Sequence, residues 1–125
     1  MYLVNVERHF DAAHYLRGYQ GKCENLHGHR YRVVARLKAF SNQNAGMAYD
    51  FTILKKQLAG ILERFDHRCL NEVPPFDEIN PSAENIARTI YFELKDQLGK
   101  LPEGMHVDAI TVWESPESWV EYQPD

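Results

Sequence analysis

The chain contains 125 residues, of which 44% are hydrophobic and 26% are charged, and its formal net charge is -4. This length and apolar content suit one domain with one core, so we expect a single domain over residues 1–125. Lysine and arginine are spread along the sequence, whereas binding to a phosphate backbone needs a basic stripe. The composition therefore argues against nucleic acid as the main partner, while a small phosphorylated ligand stays compatible with it.

The N-terminus lacks the basic start and the apolar segment of a signal peptide, and no apolar run approaches the roughly 20 residues that span a bilayer. We therefore expect a cytoplasmic protein with no membrane partner. Because the cytoplasm is reducing, the two cysteines, Cys23 and Cys69, are not expected to form a structural disulfide.

Alternation of apolar and polar residues predicts two strands in the N-terminal part, over residues 2–13 and 27–40. A polar, glycine-containing loop over residues 15–26 joins them. In the second strand the apolar and the basic side chains fall on opposite faces, which is typical of an antiparallel sheet with one wet side.

The hydrophobic period then becomes helical, and Asp50 stands where an N-cap would begin the first helix. The pair Pro74 and Pro75 interrupts the chain. A second helix is predicted to begin after the N-cap candidate Ser82 and to end at Gly99.

Alternation returns over residues 105–114, and a short last strand is predicted over residues 119–123. The order of elements is thus β-β-α-α-β-β. Strands followed by helices and then strands indicate an α+β domain, with two helices on one face of an antiparallel four-stranded sheet.

A histidine pair opens the second strand as His27 and His29, and residues two apart on a strand share a face. His14 ends the first strand, which a hairpin would place beside the second. Three histidines and an open fourth position are typical of a catalytic zinc site. An H-x-H pair also arises by chance among six histidines, and His9 and His106 are interpreted as surface residues.

Three further positions could carry chemistry. A Cys23 thiol beside a dication would have a lowered pKa and could act as a base or nucleophile, although a small buried residue is the alternative, favoured for Cys69. The neighbours Asp66 and His67 could form a general acid/base pair. Glu114 is either a solvated strand end or a carboxylate that accepts two N–H bonds from a heterocycle.

Together these motifs resemble the 6-pyruvoyl-tetrahydropterin synthase family over nearly the whole chain. The matching segments are Phe10-Asp11-Ala12-Ala13-His14, Cys23-x3-His27-Gly28-His29, Asp50-Phe51, Phe65-Asp66-His67-x2-Leu70-Asn71, Asn80-Pro81-Ser82-x-Glu84-Asn85 and Glu114. The resemblance implies the tunnelling fold and trimers whose sheets join into a barrel, often stacked as hexamers, with active sites at subunit junctions. Exposed sheet edges give a physical reason for such assembly.

The same resemblance implies roles for individual residues. Zn2+ would be held by His14, His27 and His29. Proton transfer would involve Cys23, Asp66 and His67. The pterin would be anchored by Glu114, with secondary contacts from Ser82 and Glu84; serine stands here where threonine is common in the family.

The three residues between Cys23 and His27 resemble the branch of 6-carboxy-tetrahydropterin synthases in queuosine biosynthesis. That branch implies conversion of 7,8-dihydroneopterin triphosphate to 6-carboxy-5,6,7,8-tetrahydropterin, acetaldehyde and triphosphate. Alternatives are a 6-pyruvoyl-tetrahydropterin synthase, which keeps the carbon side chain, and a non-catalytic pterin- or metal-binding module. Candidate cations for the triphosphate are Lys22, Arg17 and Arg30.

Overall fold

The structure is a computed structural model that describes residues 1–19, 21, 24–42 and 44–125. Within these residues, five strands form one sheet that two α-helices cover. The strands are β1 (Tyr2–His14), β2 (His27–Ala39), β3 (Arg68–Cys69), β4 (Met105–Ser115) and β5 (Ser118–Tyr122), and the helices are α1 (Phe51–Leu62) and α2 (Ala83–Leu98). Single 3₁₀ turns lie at Asn44–Gly46 and Leu70–Glu72.

The sheet order is β3-β1-β2-β4-β5. The pairs β1–β2, β2–β4 and β4–β5 are antiparallel, so the predicted α+β architecture is confirmed. The prediction of four antiparallel strands is wrong in one detail, because β3 adds a fifth strand that runs parallel to Ala12–Ala13 of β1. Two residues carry no readable period, and this is why the sequence pattern missed the strand.

Both helices begin where their caps predict. The Asp50 carboxylate accepts the Thr52 N–H at 2.8 Å, and the Ser82 hydroxyl accepts the Asn85 N–H at 3.2 Å. Each cap satisfies a backbone donor that has no partner inside the helix, which stabilises the helix by about 0.5–2 kcal/mol.

The core lies between the helices and one face of the sheet. Phe10 of β1 stacks on Tyr31 of β2 with ring centroids 4.7 Å apart, and both side chains are buried with Leu58 of α1 and Ile90 of α2. Fully burying one such aliphatic side chain is worth about 1.5–3 kcal/mol. This packing fixes the β1–β2 hairpin, and with it the strand ends that carry the histidines.

The opposite face of the sheet is polar, as the alternation predicts. Arg36 Nε contacts Asp108 at 2.7 Å, and Arg32 Nε lies 3.0 Å from Glu7. Cys69 is a free thiol in β3 and is only partly buried, so its predicted core position is met in part. Among the described residues, neither helix is long and apolar enough to cross a membrane.

Candidate metal centre and active site

The end of the β1–β2 hairpin brings three histidines together. His14 lies directly opposite His27 in the register of the two strands, and His29 follows two residues later on the same face. The ring centroids are 4.6–5.1 Å apart. One ligand atom from each ring and one carboxylate oxygen of Glu114 all lie within 4.8 Å of one another. The structure thus places all three predicted zinc ligands in one cluster that could hold a metal ion.

The hydrogen bonds of two rings fix which nitrogen carries the proton. His14 Nδ1 lies 2.7 Å from the Pro81 carbonyl oxygen, and His27 Nδ1 lies 2.6 Å from the Asn25 carbonyl oxygen. A carbonyl oxygen only accepts, so both Nδ1 atoms must donate. In the neutral rings both Nε2 atoms are then lone-pair acceptors, yet they lie only 3.0 Å apart. Two facing lone pairs repel unless a proton or a metal ion lies between them.

A metal ion satisfies this arrangement. Histidine ligands of zinc commonly donate their other N–H to a carbonyl or carboxylate, as these two rings do. Tetrahedral zinc with Zn–N bonds of about 2.0–2.1 Å separates its ligand atoms by about 3.3 Å, which is close to the 3.0 Å between the two Nε2 atoms. The residues present therefore fit a zinc ion.

His29 and Glu114 complete the cluster, with His29 Nε2 2.8 Å from Glu114 Oε1. Burial lowers the pKa of His29 below its ordinary 6.5, and the neighbouring histidines add to this effect while Glu114 opposes it. The pKa of Glu114 is lowered, first by its contact with His14 and then by the charges of the rings when they are protonated. At neutral pH His29 is thus neutral and Glu114 is ionised, the forms in which these groups bind metals.

Two asparagines that the sequence analysis did not assign hold the chain just after His14. The Asn71 side chain accepts the Tyr15 N–H and donates to the Tyr15 carbonyl, both at 3.0 Å. Asn80 pairs in the same way with Arg17, at 2.9 and 2.8 Å. Each side-chain amide thus forms the pair of hydrogen bonds that the backbone of a neighbouring strand would form. The signal for them was their place in the Leu70-Asn71 and Asn80-Pro81 motif segments.

Asp66 and His67 form a second cluster, at the turn that follows α1. Asp66 Oδ1 accepts the Asp11 N–H at 2.9 Å, and the His67 N–H donates to the Asp11 carbonyl. The other carboxylate oxygen of Asp66 lies 3.1 Å from His67 Nδ1. The backbone bond from Asp11 is the largest cause that lowers the pKa of Asp66, so the carboxylate stays ionised and orients the imidazole.

His67 adopts a left-handed backbone with φ of 59°, which is rare for a residue with a side chain. Its side chain is 78% exposed. Strained backbone of this kind often lies at functional sites, where the surrounding contacts hold it in place. Here the two hydrogen bonds to Asp11 do so, and they direct the imidazole outward.

The two clusters do not meet within one chain. Asp11 and His14 are three residues apart on β1, so their side chains point to opposite faces of the sheet, and their Cα atoms are about 10 Å apart. The Asp66–His67 pair accompanies Asp11, whereas the histidines accompany His14. The predicted relay and the predicted metal ligands therefore lie apart in this chain.

The remaining candidates lie in different surroundings. Cys23 and Lys22 lie outside the described residues. Ser82 caps α2 next to Pro81, whose carbonyl supports His14, and Glu84 is exposed in the first turn of that helix.

The two candidate cations among the described residues, Arg17 and Arg30, differ in how far their guanidinium groups are already hydrogen-bonded. The Arg17 guanidinium already donates to three carbonyl oxygens, those of Ile79, Asn71 and Phe76. Arg30 is 70% exposed and lines a cleft of about 410 Å3 together with His29 and Glu114. Of the two, Arg30 has the more available charge.

Comparison with known proteins identifies the family of the chain. The family model of 6-pyruvoyl tetrahydropterin synthase matches residues 3–125. A protein of Haemophilus influenzae named 6-carboxy-5,6,7,8-tetrahydropterin synthase is 31% identical over 150 aligned residues, covering 98% of this chain and 99% of the relative. The Bacillus subtilis protein of the same name is 30% identical, covering 97% and 84%.

Solved structures agree in fold. The 6-pyruvoyl tetrahydropterin synthase of Caenorhabditis elegans superposes with a TM-score of 0.81 at 29% identity, covering all of this chain and 98% of the other. The Plasmodium falciparum enzyme of that name superposes with a TM-score of 0.78 at 24% identity, covering 98% and 97%, and supports the fold alone. Since the family model matches residues 3–125, nearly the whole chain, the chain belongs to the 6-pyruvoyl tetrahydropterin synthase family.

Proposed function

We propose that the chain is a zinc-dependent 6-carboxy-5,6,7,8-tetrahydropterin synthase in queuosine biosynthesis. It would convert 7,8-dihydroneopterin triphosphate and one water molecule to 6-carboxy-5,6,7,8-tetrahydropterin, acetaldehyde and triphosphate. The observation that carries the proposal is the convergence of three imidazoles at the end of the hairpin. The Nε2 atoms of two of them, His14 and His27, lie 3.0 Å apart. The relatives of that name, at 30–31% identity, support the choice of reaction.

The metal ligands in this proposal are His14, His27 and His29, and the ion is Zn2+, which neutral imidazoles suit. Bound zinc supplies Lewis-acid stabilisation of negative charge that develops on substrate oxygen. The carbonyl groups of Pro81 and Asn25 keep two of the rings in the tautomer that presents Nε2. The Asn71 and Asn80 clamps fix the backbone that follows His14.

Proton transfer falls to Cys23, Asp66 and His67. Because the Asp66 carboxylate lies 3.1 Å from His67 Nδ1, the Nε2 atom of that ring is the one free to take a proton from the substrate side chain. Cys23 serves as the second base in its thiolate form, or as the second acid in its thiol form. Glu114 accepts N–H bonds of the pterin ring, with Ser82 and Glu84 as secondary contacts.

Separation of the two clusters supports a site that is shared between copies. The imidazole of His67 is exposed and directed away from its own chain's histidines, so it is available to the histidine cluster of a neighbouring copy. We infer a homo-oligomer, a trimer or a hexamer built from two trimers, in which each active site takes its metal ligands from one copy and its relay from another.

Product analysis tests the function. Anaerobic incubation with 7,8-dihydroneopterin triphosphate should release triphosphate, with 6-carboxy-tetrahydropterin detected by mass spectrometry and acetaldehyde by a coupled assay. A 6-pyruvoyl product without acetaldehyde would assign the chain to the alternative synthase, which the C. elegans structure favours through its 29% identity. Binding of a pterin without release of triphosphate would identify a non-catalytic module.

A further inference from the structure

Glu114 lies on the metal-facing side of the histidine cluster. Its Oε1 atom is 2.8 Å from His29 Nε2 and 3.4 Å from His14 Nε2. For His14, Nε2 is the lone-pair nitrogen, because Nδ1 donates to Pro81. A carboxylate that merely orients a metal-binding histidine contacts the nitrogen that does not bind the ion. Glu114 instead approaches the nitrogens that converge on the centre.

The contact between Glu114 and His29 is not a hydrogen bond in its geometry. His29 Nε2 is buried and has no hydrogen-bond partner, although the carboxylate oxygen is only 2.8 Å away. The nitrogen and the oxygen are close but not directed at each other, which is the arrangement of two donor atoms around a common centre. The separations of 2.8 and 3.4 Å lie near the roughly 3.3 Å expected between tetrahedral zinc ligands.

Strand alternation places Glu114 on the core face of the sheet, because it lies two residues after the buried Val112, and a β-bulge falls at the same point. Along the β4–β5 pair, Trp113 lies opposite Trp119 and Ser115 lies opposite Ser118, so Glu114 is the extra residue between the two pairs. Bulges re-aim side chains and are frequent beside active sites. Glu114 therefore has no paired partner on β5, unlike Trp113 and Ser115 on either side of it.

We propose that Glu114 is a fourth metal ligand in the substrate-free protein, so that three imidazoles and one carboxylate close the site. This inference deepens the proposed function, because a carboxylate that binds the ion is not free to accept the pterin N–H groups. Glu114 therefore cannot bind the metal and the pterin at the same time. The pterin must displace Glu114 from the metal before the metal gains an open position.

The test uses the full-length protein loaded with Co2+ and free of substrate, in wild type and in the isosteric variant Glu114→Gln. We expect the visible cobalt spectrum to change in the variant, because a ligand is lost. Chelator competition should show an affinity loss of more than about 100-fold, beyond the roughly 10–100-fold that loss of an outer partner costs. The matched control is Glu117→Gln, an exposed glutamate in the following turn, which should change neither quantity.

The cobalt spectrum decides the outcome. An unchanged spectrum in folded Glu114→Gln, with any loss of affinity, would overturn the proposal and leave Glu114 outside the coordination shell. If circular dichroism shows that this variant is unfolded, a crystal structure of the zinc-loaded, substrate-free wild type decides instead: a Glu114 oxygen bound to the ion supports the proposal, and a water in the fourth position refutes it. Triphosphate release by the wild type is measured separately, so failure of the proposed function is distinguishable.

Discussion

The histidine cluster and the Asp66–His67 pair both join imidazoles to a carboxylate, but their hydrogen bonds are used differently. In the first, the Nε2 atoms of His14 and His27 lie 3.0 Å apart, and in the neutral rings both are lone-pair acceptors. In the second, the carboxylate of Asp66 accepts from a backbone N–H and lies beside its histidine. The first cluster presents nitrogens that a cation would satisfy, whereas the carboxylate of the second is satisfied by its own chain.

Burial follows the same division. His14 is 1% exposed, so a buried Nε2 lone pair that faces the lone pair of His27 would be costly without a ligand. The His67 side chain is 78% exposed and remains available to a substrate or to another copy. Proximity of polar groups therefore does not by itself distinguish a metal site from a proton relay. The distinction comes from which atoms already have partners and where the remaining atoms point.

Loss of a metal ligand is the largest expected effect. In His27→Ala and His29→Ala, bound zinc should fall from near one ion per chain to near none, because three imidazoles form the core of the ligand set. Turnover should disappear with the metal. Elemental analysis of the purified variants measures the first result and triphosphate release the second. The control is His106→Ala, whose side chain is 55% exposed and which should keep both. Full zinc content in both His27→Ala and His29→Ala would show that these histidines do not bind the metal.

Loss of the relay should cost less and leave the metal in place. We expect His67→Ala to reduce turnover by about 10²–10⁴-fold, the usual contribution of a general acid or base, with unchanged zinc content. Steady-state kinetics and elemental analysis of the same preparation test this separation. A parallel loss of zinc and activity would mean that the two clusters do not act independently.

Mixed oligomers sharpen the same comparison. Co-assembly of His27→Ala with His67→Ala should restore activity, because about one quarter of randomly formed junctions would combine an intact metal site with an intact relay. The matched control, His27→Ala with His29→Ala, should restore none, since both changes damage the same cluster. Equal inactivity of the two mixtures would place the whole active site within one chain.

The smallest effect concerns the pH dependence of the metal-free protein. The pKa of His29 is lowered from 6.5 and that of Glu114 from 4.5. Both groups therefore bind more protons unfolded than folded, and both contributions to stability are lost on acidification. The His29 contribution is complete above 6.5 and decreases as the pH falls toward the folded pKa; the Glu114 contribution decreases only below 4.5.

Denaturant unfolding of the metal-free protein at a series of pH values measures this dependence. The variant His29→Gln should show a flatter curve than wild type just below pH 6.5, the ordinary pKa of the lost group. Above that pH the difference in the free energy of unfolding between the two proteins should be constant. Parallel curves throughout would mean that burial does not disfavour the charged imidazole.

The strands and helices were largely readable from sequence because their signals are local. Alternation predicted both long N-terminal strands, helical spacing predicted the two helices, and the caps Asp50 and Ser82 marked the helix starts within a residue. The strand β3 was missed because its two residues form a strand only when Ala12 and Ala13 lie beside them. Pairing of that kind is a property of distant segments, and no local pattern reports it.

The sequence by itself determined the same-face pair His27 and His29, because the two-residue period of a strand is a matter of covalent geometry. It also determined the candidate third ligand, His14, once a hairpin was predicted. Only the tertiary structure decided that Glu114 joins these rings and that Asp66 and His67 do not. The antiparallel pairing of β2 with β4 and the turn after α1 position those side chains, and both depend on contacts between segments far apart in the chain. Direction in space is set by such packing, whereas spacing along an element is set by the chain.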